Sequence, residues 1–230
     1  MTDISLHYTA YGAGEPLLLL HGNGESSAYF DGQIEAFSAR YRVLTVDTRG
    51  HGQTPRGTAP FTYAQFAEDL AAFFDDRQLA RASILGFSDG AIVALLFAMQ
   101  HPTRVHRLIL NGANLNPSGL DDAVQKEIAD GYRACVAAEA AGNAAAHAQR
   151  ELLGLMLFEP QIDPAALKAV TAPTLVLVGS HDMIRAEHSA CIANALPNAT
   201  LVTLDGDHFL AQKHPRAYNR AVLSFLDSNY

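Results

Sequence analysis

The sequence predicts an α/β fold, in which a mostly parallel sheet of about eight strands is flanked by helices on both faces. Short apolar segments alternate along the chain with longer segments of helical periodicity. Most of the apolar segments end at glycine, aspartate or asparagine, and such segments are typical of strands buried on both faces of a parallel sheet. The length of 230 residues suits one large domain of this class.

The composition indicates a globular protein and excludes some partners. Hydrophobic residues make up 49% of the chain, and the net charge is −8. Such an acidic chain lacks the basic face of a nucleic-acid-binding protein. No apolar run reaches the roughly 18 residues of a membrane span, and the first twelve residues resemble no signal peptide. We therefore expect a cytoplasmic protein with no membrane partner. The oligomeric state is left open.

The two cysteines carry no metal-binding or redox pattern. Cys135 and Cys191 are far apart in the sequence, and neither belongs to a CxxC motif. We interpret both as buried free thiols in a reducing compartment, although a disulfide is not excluded.

Six apolar segments are predicted to be the buried strands. They are residues 17–20, 41–46, 82–86, 107–110, 174–178 and 199–204. Residues 4–11 alternate in polarity and are predicted to form antiparallel edge strands.

Five segments between the strands are predicted to be helices. They are residues 26–40, 62–79, 91–100, 187–196 and 215–226. Thr62 followed by Gln65 matches a helix N-terminal capping pattern. Residues 91–100 are apolar nearly all round, which predicts a helix buried against the sheet. The alternation predicts right-handed βαβ units.

Residues 114–172 interrupt this alternation. The segment is rich in alanine and contains no convincing strand, and Pro117 and Pro173 bound it. We predict two or three helices that form a small lid over a core made of residues 1–113 and 173–230. Ordinary crossover helices with no gating role are the alternative.

The run Gly-Phe-Ser-Asp-Gly at residues 86–90 places Ser88 between a predicted strand and a predicted helix. A GxSxG pattern alone is weak, but strand–turn–helix is the setting that a nucleophilic serine on a sharp turn requires. The turn demands small neighbours, and Gly86, Gly90 and Ala91 provide them. The helix that follows directs its positive N-terminal end toward a developing oxyanion. A turn without chemistry is the alternative.

Together with the turn around Ser88, four other stretches give the chain a family resemblance. They are residues 21–24 (His-Gly-Asn-Gly), 47–52 (Asp-Thr-Arg-Gly-His-Gly) and the two segments around residues 182 and 208. The whole chain resembles α/β-hydrolase fold enzymes of the esterase and peroxidase-like group. Ser-Asp-Gly at residues 88–90 is similar to the valacyclovirase-like (biphenyl hydrolase-like) amino-acid-ester hydrolases.

A serine nucleophile needs a base and an acid that orients the base. This fold places them in the order serine, acid, histidine, which predicts a triad of Ser88, Asp182 and His208. Of ten histidines, His208 is the one in the loop between the last predicted strand and the last helix, since His214 directly adjoins that helix and is interpreted as a surface residue. Asp205 and Asp207 are the competing acids, but they are too close in sequence to reach His208 productively.

Two further histidines lie in glycine-containing turns. We interpret His21 and His51 as residues that organise these loops.

Two backbone N–H groups are expected to form the oxyanion hole. One belongs to Asp89, and the resemblance implies that the other belongs to Asn23, which alternatively holds only a loop turn. The side chains of Asp89 and Glu25 are candidate substrate contacts. The resemblance implies that the Asp89 carboxylate receives a substrate amino group. A loop carboxylate with satisfied hydrogen bonds is the alternative for both residues.

The predicted function is a serine hydrolase that cleaves a small ester, lactone, thioester or amino-acid ester through an acyl-enzyme. No metal or organic cofactor is implied, and the expected partner is a small-molecule substrate. A carbon–carbon bond hydrolase and a cofactor-free perhydrolase are alternatives, as is a slow-turnover ligand receptor or signalling module. Dehalogenase and epoxide hydrolase activity is disfavoured, since those relatives carry aspartate at the position of Ser88.

Overall fold

The computed structural model describes residues 3–228 and contains one sheet of seven strands. The strands are β1 (Tyr8–Tyr11), β2 (Pro16–Leu20), β3 (Arg42–Val46), β4 (Ala82–Phe87), β5 (Val105–Asn111), β6 (Thr174–Gly179) and β7 (Ala199–Leu204). Their order is β1-β3-β2-β4-β5-β6-β7. Only β1 is antiparallel to its neighbour, so residues 4–11 supply one antiparallel edge strand. The predicted α/β fold is confirmed, with seven described strands in place of about eight.

Eight α-helices accompany the sheet within the described residues. They are α1 (Asp31–Ser38), α2 (Tyr63–Asp76), α3 (Asp89–Gln100), α4 (Asp122–Ala140), α5 (Ala146–Phe158), α6 (Ala186–Ala195), α7 (Leu210–Lys213) and α8 (Pro215–Leu226). The five predicted helices are present, and the short α7 was not predicted. Thr62 caps α2 as predicted, because its side chain accepts a hydrogen bond from the Gln65 N–H at 3.2 Å.

Each face of the sheet has its own apolar core. Leu17 and Leu19 of β2 pack with residues of α1, α7 and α8, whereas Leu18 and Leu20 pack with residues of α2, α3 and α6. Successive side chains of a strand point to opposite faces, so an unbroken leucine run serves both cores. Because β2 to β7 are parallel, their carboxyl ends lie at one edge of the sheet, where the loops that follow them meet.

The outermost strand β7 differs from its prediction. Its central residues Thr200, Leu201 and Thr203 are exposed, and Leu201 keeps 38% of its surface accessible. The prediction that this strand is buried on both faces is wrong, because β7 lies at the sheet edge and pairs only with β6 within residues 3–228.

The cysteines are free, as predicted, but they are not buried. Cys135 is half-buried and Cys191 is exposed. Cys191 precedes the buried Ile192 on α6, so it faces away from the core.

Helices α4 and α5 form a hairpin within the predicted lid segment. Tyr132 of α4 and Phe158 of α5 meet edge to face at 5.2 Å, and Gly131 lies against Leu153. In a later turn of the same segment, Pro164–Ala169, the side chain of Leu167 is fully buried among apolar residues of α2 and α3. The division of the chain into core and lid stays a prediction.

None of the helices in residues 3–228 combines the length and the apolar character that a membrane crossing requires.

A buried ion pair fastens the loop after β3 to α2. The Arg49 side chain is fully buried and binds Asp69 through two hydrogen bonds of 2.7 Å each. Two parallel hydrogen bonds fix both position and orientation. Arg49 also donates to the Arg56 carbonyl at 2.9 Å, so it holds the whole loop.

Replacing Arg49 by methionine leaves the Asp69 carboxylate buried without its main partner. We expect the free energy of unfolding to fall by about 3 to 5 kcal/mol, as measured by urea denaturation. Lys126→Met is the control, since it breaks the exposed Lys126–Asp130 pair and should barely change the unfolding midpoint. Equal losses in the two variants would contradict the structural role of Arg49.

Candidate active site

Ser88 lies on a strained turn between β4 and α3. Its backbone has φ of 51° and ψ of −117°, a left-handed conformation that side-chain-bearing residues rarely adopt. A Cβ atom on Gly86 would lie 2.3 Å from the Gly90 carbonyl oxygen, and one on Gly90 would lie 2.2 Å from the Leu20 carbonyl oxygen. Only glycine fits at both positions. Because these residues have no side chain, the backbones of β2, β4 and α3 can approach closely, and the sharp turn at Ser88 can form.

His208 and Asp182 are brought together by the loops after β7 and β6. The Nδ1 of His208 lies 2.7 Å from Oδ1 of Asp182, and both side chains are buried. The Ile184 N–H also donates to Oδ1, at 3.0 Å, and the Gly179 N–H donates to Oδ2 at 3.2 Å. Burial opposes the charge of Asp182, but the His208 hydrogen bond and these N–H donors outweigh it and lower the pKa of the carboxyl.

The proton between the two groups can therefore be assigned. An ionised carboxylate only accepts hydrogen bonds, so Nδ1 of His208 is the donor. In a neutral imidazole with this tautomer, the other ring nitrogen, Nε2, carries the lone pair that a general base requires.

The competing aspartates have other partners. Asp205 accepts a hydrogen bond from the Ser180 hydroxyl at 3.3 Å. Asp207 accepts from the Phe209 N–H at 3.0 Å and pairs with Lys213. Neither forms a hydrogen bond with His208 within the described part of the chain.

His208 and Ser88 are neighbours across the loop after β5. The His208 ring lies 4.8 Å from the ring of Phe87, and a Cβ on Gly112 would lie 2.6 Å from the His208 ring. The main-chain carbonyl of Asn111, next to Gly112, accepts a hydrogen bond from the Ser88 N–H at 2.8 Å. No hydrogen bond joins the Ser88 hydroxyl to His208 in residues 3–228, and in unliganded enzymes this bond is commonly long.

In the loop after β2, the N–H groups on either side of Asn23 both have partners. The Gly22 N–H donates to Glu25 at 3.2 Å, and the Gly24 N–H donates to Nε2 of His51 at 3.1 Å. Between them, the Asn23 N–H has no partner in residues 3–228, and neither does the Asp89 N–H at the start of α3. These two donors are the ones expected for the oxyanion hole, a role that stays a prediction.

His21 and His51 organise the loops, as predicted. Nε2 of His21 accepts a hydrogen bond from the Thr48 N–H at 3.1 Å and thereby joins the loops after β2 and β3. Burial lowers the pKa of His21 to about 4 and also lowers the pKa of His51. Both rings are therefore neutral near pH 7 and act as acceptors.

The two candidate substrate-contact carboxylates form hydrogen bonds within the protein. Oδ2 of Asp89 accepts from the Asn23 side chain at 2.8 Å, and only 7% of Asp89 is exposed. Burial raises the pKa of Asp89 to about 6 and the pKa of Glu25 to about 7. The substrate-contact role of each stays a prediction: Glu25 accepts a hydrogen bond within its own loop, from the Gly22 N–H, and Asp89 accepts one from Asn23 of the loop after β2.

Sequence reasoning missed four residues near the site. Tyr63 lies beside the Asp89 carboxylate, although its hydroxyl is outside hydrogen-bonding geometry. Glu159 accepts a hydrogen bond from the Tyr63 N–H at 3.0 Å. Neither position has a motif that would indicate it. The Asn-Gly pair at residues 111–112 was a usable signal, because Gly112 adopts a φ of 66° against His208.

The fold and the serine turn define the class of protein. Residues 15–130 match the model of the alpha/beta hydrolase fold family. The chain therefore belongs to the α/β-hydrolase fold family, and it is an enzyme with hydrolase activity.

Particular relatives support this assignment. Proteins named "Putative carbamate hydrolase RutD" are 31% identical in Variovorax paradoxus and 30% identical in Caulobacter vibrioides; the matches cover 96% of this chain, and 96% and 95% of those proteins respectively. A hydrolase structure from Pseudomonas aeruginosa has a TM-score of 0.80 at 29% identity, covering 98% of this chain and 95% of that one. The enol-lactonase structure from Burkholderia xenovorans has a TM-score of 0.82 at 22% identity, covering 98% and 97%, which shows the shared fold.

The raised pKa of Glu25 predicts a pH-dependent stability. The folded state binds the Glu25 proton more tightly than the unfolded chain, whose pKa is near 4.5, so stability falls as pH rises from about 4.5 to about 7. We expect the urea midpoint of Glu25→Gln to exceed that of wild type by a larger margin at pH 8 than at pH 5.

The control for this prediction is Glu68→Gln, which replaces an exposed carboxylate of α2. It should follow the wild-type pH dependence. A Glu25→Gln protein whose advantage does not grow between pH 5 and pH 8 would show that Glu25 is not held protonated by the fold.

Proposed function

We propose that this enzyme is a serine hydrolase that cleaves small esters through an acyl-enzyme, with Ser88 as nucleophile. The observation that carries the proposal is the buried Asp182–His208 hydrogen bond of 2.7 Å, which lies beside a serine on a strained turn. Serine is a weak nucleophile on its own, and this arrangement supplies the base that activates it.

Acylation begins when Nε2 of His208 takes the hydroxyl proton of Ser88. The serine oxygen forms a bond to the ester carbonyl carbon, and the carbonyl electron pair moves onto oxygen. The N–H groups of Asn23 and Asp89 donate to that oxyanion, where loss of one donor typically costs about 10²- to 10³-fold in rate. Asp182 stabilises the positive imidazolium that His208 becomes.

The intermediate then collapses and releases the alcohol. The carbonyl forms again, the bond to the leaving oxygen breaks, and His208 returns its proton to that oxygen. A water molecule repeats the sequence on the acyl-enzyme: His208 takes its proton, the carboxylic acid leaves and Ser88 regains its proton. The cycle consumes one water and needs no cofactor.

The substrate class is defined by the reactive carbonyl. Relatives that cover nearly the whole chain carry the name carbamate hydrolase, and the enol-lactonase shares the fold. We therefore include carbamates and lactones with esters as candidate substrates. The amine-bearing ester has less support, since the Asp89 carboxylate is buried and accepts the Asn23 amide.

Ser88→Ala should abolish the hydrolysis of nitrophenyl esters of short acids. We expect kcat to fall by about 10⁴-fold or more, because the variant retains the fold and the oxyanion donors but cannot form an acyl-enzyme. Ser118→Ala is the matched control at an exposed turn, and it should match the wild-type rate.

Assays on nitrophenyl esters and on a dienoate, run side by side, separate the alternative functions. Steady multiple turnover on esters contradicts a slow receptor. Cleavage of a dienoate carbon–carbon bond, faster than any ester, would favour a carbon–carbon hydrolase. Equal ester hydrolysis by wild type and Ser88→Ala would show that Ser88 is not the nucleophile.

Asp182→Asn tests the choice of the acid. The amide can hold His208 but favours the wrong tautomer, so we expect kcat to fall by about 10³- to 10⁴-fold. Asp205→Asn and Asp207→Asn are matched controls from the loop that carries His208, and each should retain kcat within about 3-fold, because neither residue bonds His208. A larger loss at either control than at residue 182 would reassign the acid.

A further inference from the structure

The side chain of Asn23 makes two connections that the hydrolytic steps do not use. Its amide nitrogen donates to Oδ2 of Asp89 at 2.8 Å and to the main-chain carbonyl of Leu152 at 3.0 Å. A primary amide has two N–H groups, so both are in use. This one side chain joins the loop after β2, the first turn of α3 and the middle of α5.

The same residue carries the N–H group that remains available for an oxyanion. Its neighbours Gly22 and Gly24 are fixed through their own N–H groups, by Glu25 and His51. The Asn23 peptide lacks such a direct anchor within residues 3–228. The side chain is therefore the feature that sets the orientation of this residue.

Asparagine suits the chemistry of these contacts. The two partners are a carboxylate and a carbonyl, which only accept hydrogen bonds, so the residue between them must supply two donors without its own negative charge. Burial raises the pKa of Asp89, and the Asn23 hydrogen bond opposes that rise. Alanine at position 23 would leave the Asp89 carboxylate buried without this donor, and aspartate would add a second negative charge.

Helix α5 is seated on the core by contacts on either side of Leu152. Glu151 binds the Arg56 guanidinium through hydrogen bonds of 2.6 and 2.8 Å, and Leu155 is buried in the core beside α2 and α3. The Asn23 contact lies between these two anchors. The position of α5 is thus transmitted to the loop that carries the Asn23 N–H.

We propose that Asn23 is a positioning residue whose side chain ties the seating of α5 to the placement of the oxyanion donor. The inference rests on the proposed serine hydrolase function and deepens it. When α5 is seated, the amide is held from both sides and the Asn23 N–H faces the reacting carbonyl. When α5 lifts, the loop loses one of the two contacts that orient this donor.

The first test replaces Asn23 by alanine. We expect kcat on nitrophenyl esters to fall about 10- to 100-fold with KM within about 3-fold of wild type, because the donor matters most in the transition state. The affinity for phenylboronic acid, which forms a tetrahedral adduct with a reactive serine, should fall by a similar factor. Hydrogen exchange should speed up in residues 148–156.

The matched control is Asn198→Ala. Asn198 is an exposed asparagine that also donates to a main-chain carbonyl, that of Thr171 at 3.1 Å, but it lies immediately before β7. It should keep wild-type kcat, boronate affinity and exchange in residues 148–156.

A charge-swap pair keeps the inference testable if the alanine variant does not fold. Asn23→Asp should lose at least as much kcat as Asn23→Ala, because two carboxylates then meet. Combining it with Asp89→Asn restores a donor–acceptor pair between the two positions, and about 10-fold of the lost kcat should return. The Leu152 contact stays broken, so hydrogen exchange in residues 148–156 should remain fast.

Three outcomes would overturn the inference while leaving the serine hydrolase proposal intact. One is Asn23→Ala with kcat and boronate affinity within about 3-fold of wild type. Another is a fall in kcat with unchanged boronate affinity. The last is a double variant that recovers none of the kcat lost by Asn23→Asp. Failure of the proposed function has a different signature, namely equal ester hydrolysis by wild type and Ser88→Ala.

Discussion

The structure depends on the close approach of three backbones around the serine turn. Gly90 lies against the carbonyls of Leu20 and His21 at the end of β2, and Gly86 lies against the carbonyl of Gly90 itself. No side chain separates the first turn of α3 from the ends of the central strands. This closeness fixes the position of Ser88 relative to the loop that carries Asn23, and the two loops with His208 and Asp182 reach the same edge of the sheet.

Some parts of the architecture could be predicted from the sequence and one could not. The strands and helices were predictable because buried parallel strands need continuous apolar runs, and the helices between them need a 3.6-residue pattern. The strained turn was predictable as well, because glycines at 86 and 90 flank the serine. The exposure of β7 was not, since ATLVTL has the same pattern as a central strand and only its place in the sheet order leaves it at the edge.

The candidate site shows where sequence reasoning ends. Chain order leads to Asp182 and His208, because the loops after successive strands of this fold meet at one edge. It does not lead to the contact between Asn23 and Leu152, which are 129 positions apart and come from a loop and an inserted helix. The sequence left the Asp89 carboxylate as either a substrate contact or a loop carboxylate with satisfied hydrogen bonds, and it did not identify the Asn23 side chain as its partner. The local sequence around a residue does not show which distant residue its side chain will contact.

His21 and His51 must stay unprotonated to accept the hydrogen bonds that hold the loops around Asn23. Burial lowers the pKa of His21 from 6.5 to about 4, so the unfolded chain takes up a proton more readily than the folded one over that interval. The contribution of His21 to stability therefore falls as pH drops below about 6.5, opposite in sign to that of Glu25, and His51, whose pKa is also lowered, acts in the same direction as His21. A protonated His51 would have no lone pair left for the Gly24 N–H. Acid would then break the hydrogen bond that anchors this loop at Gly24. The leucine side chains of β2 beneath the loop do not titrate, so their packing does not respond to pH directly.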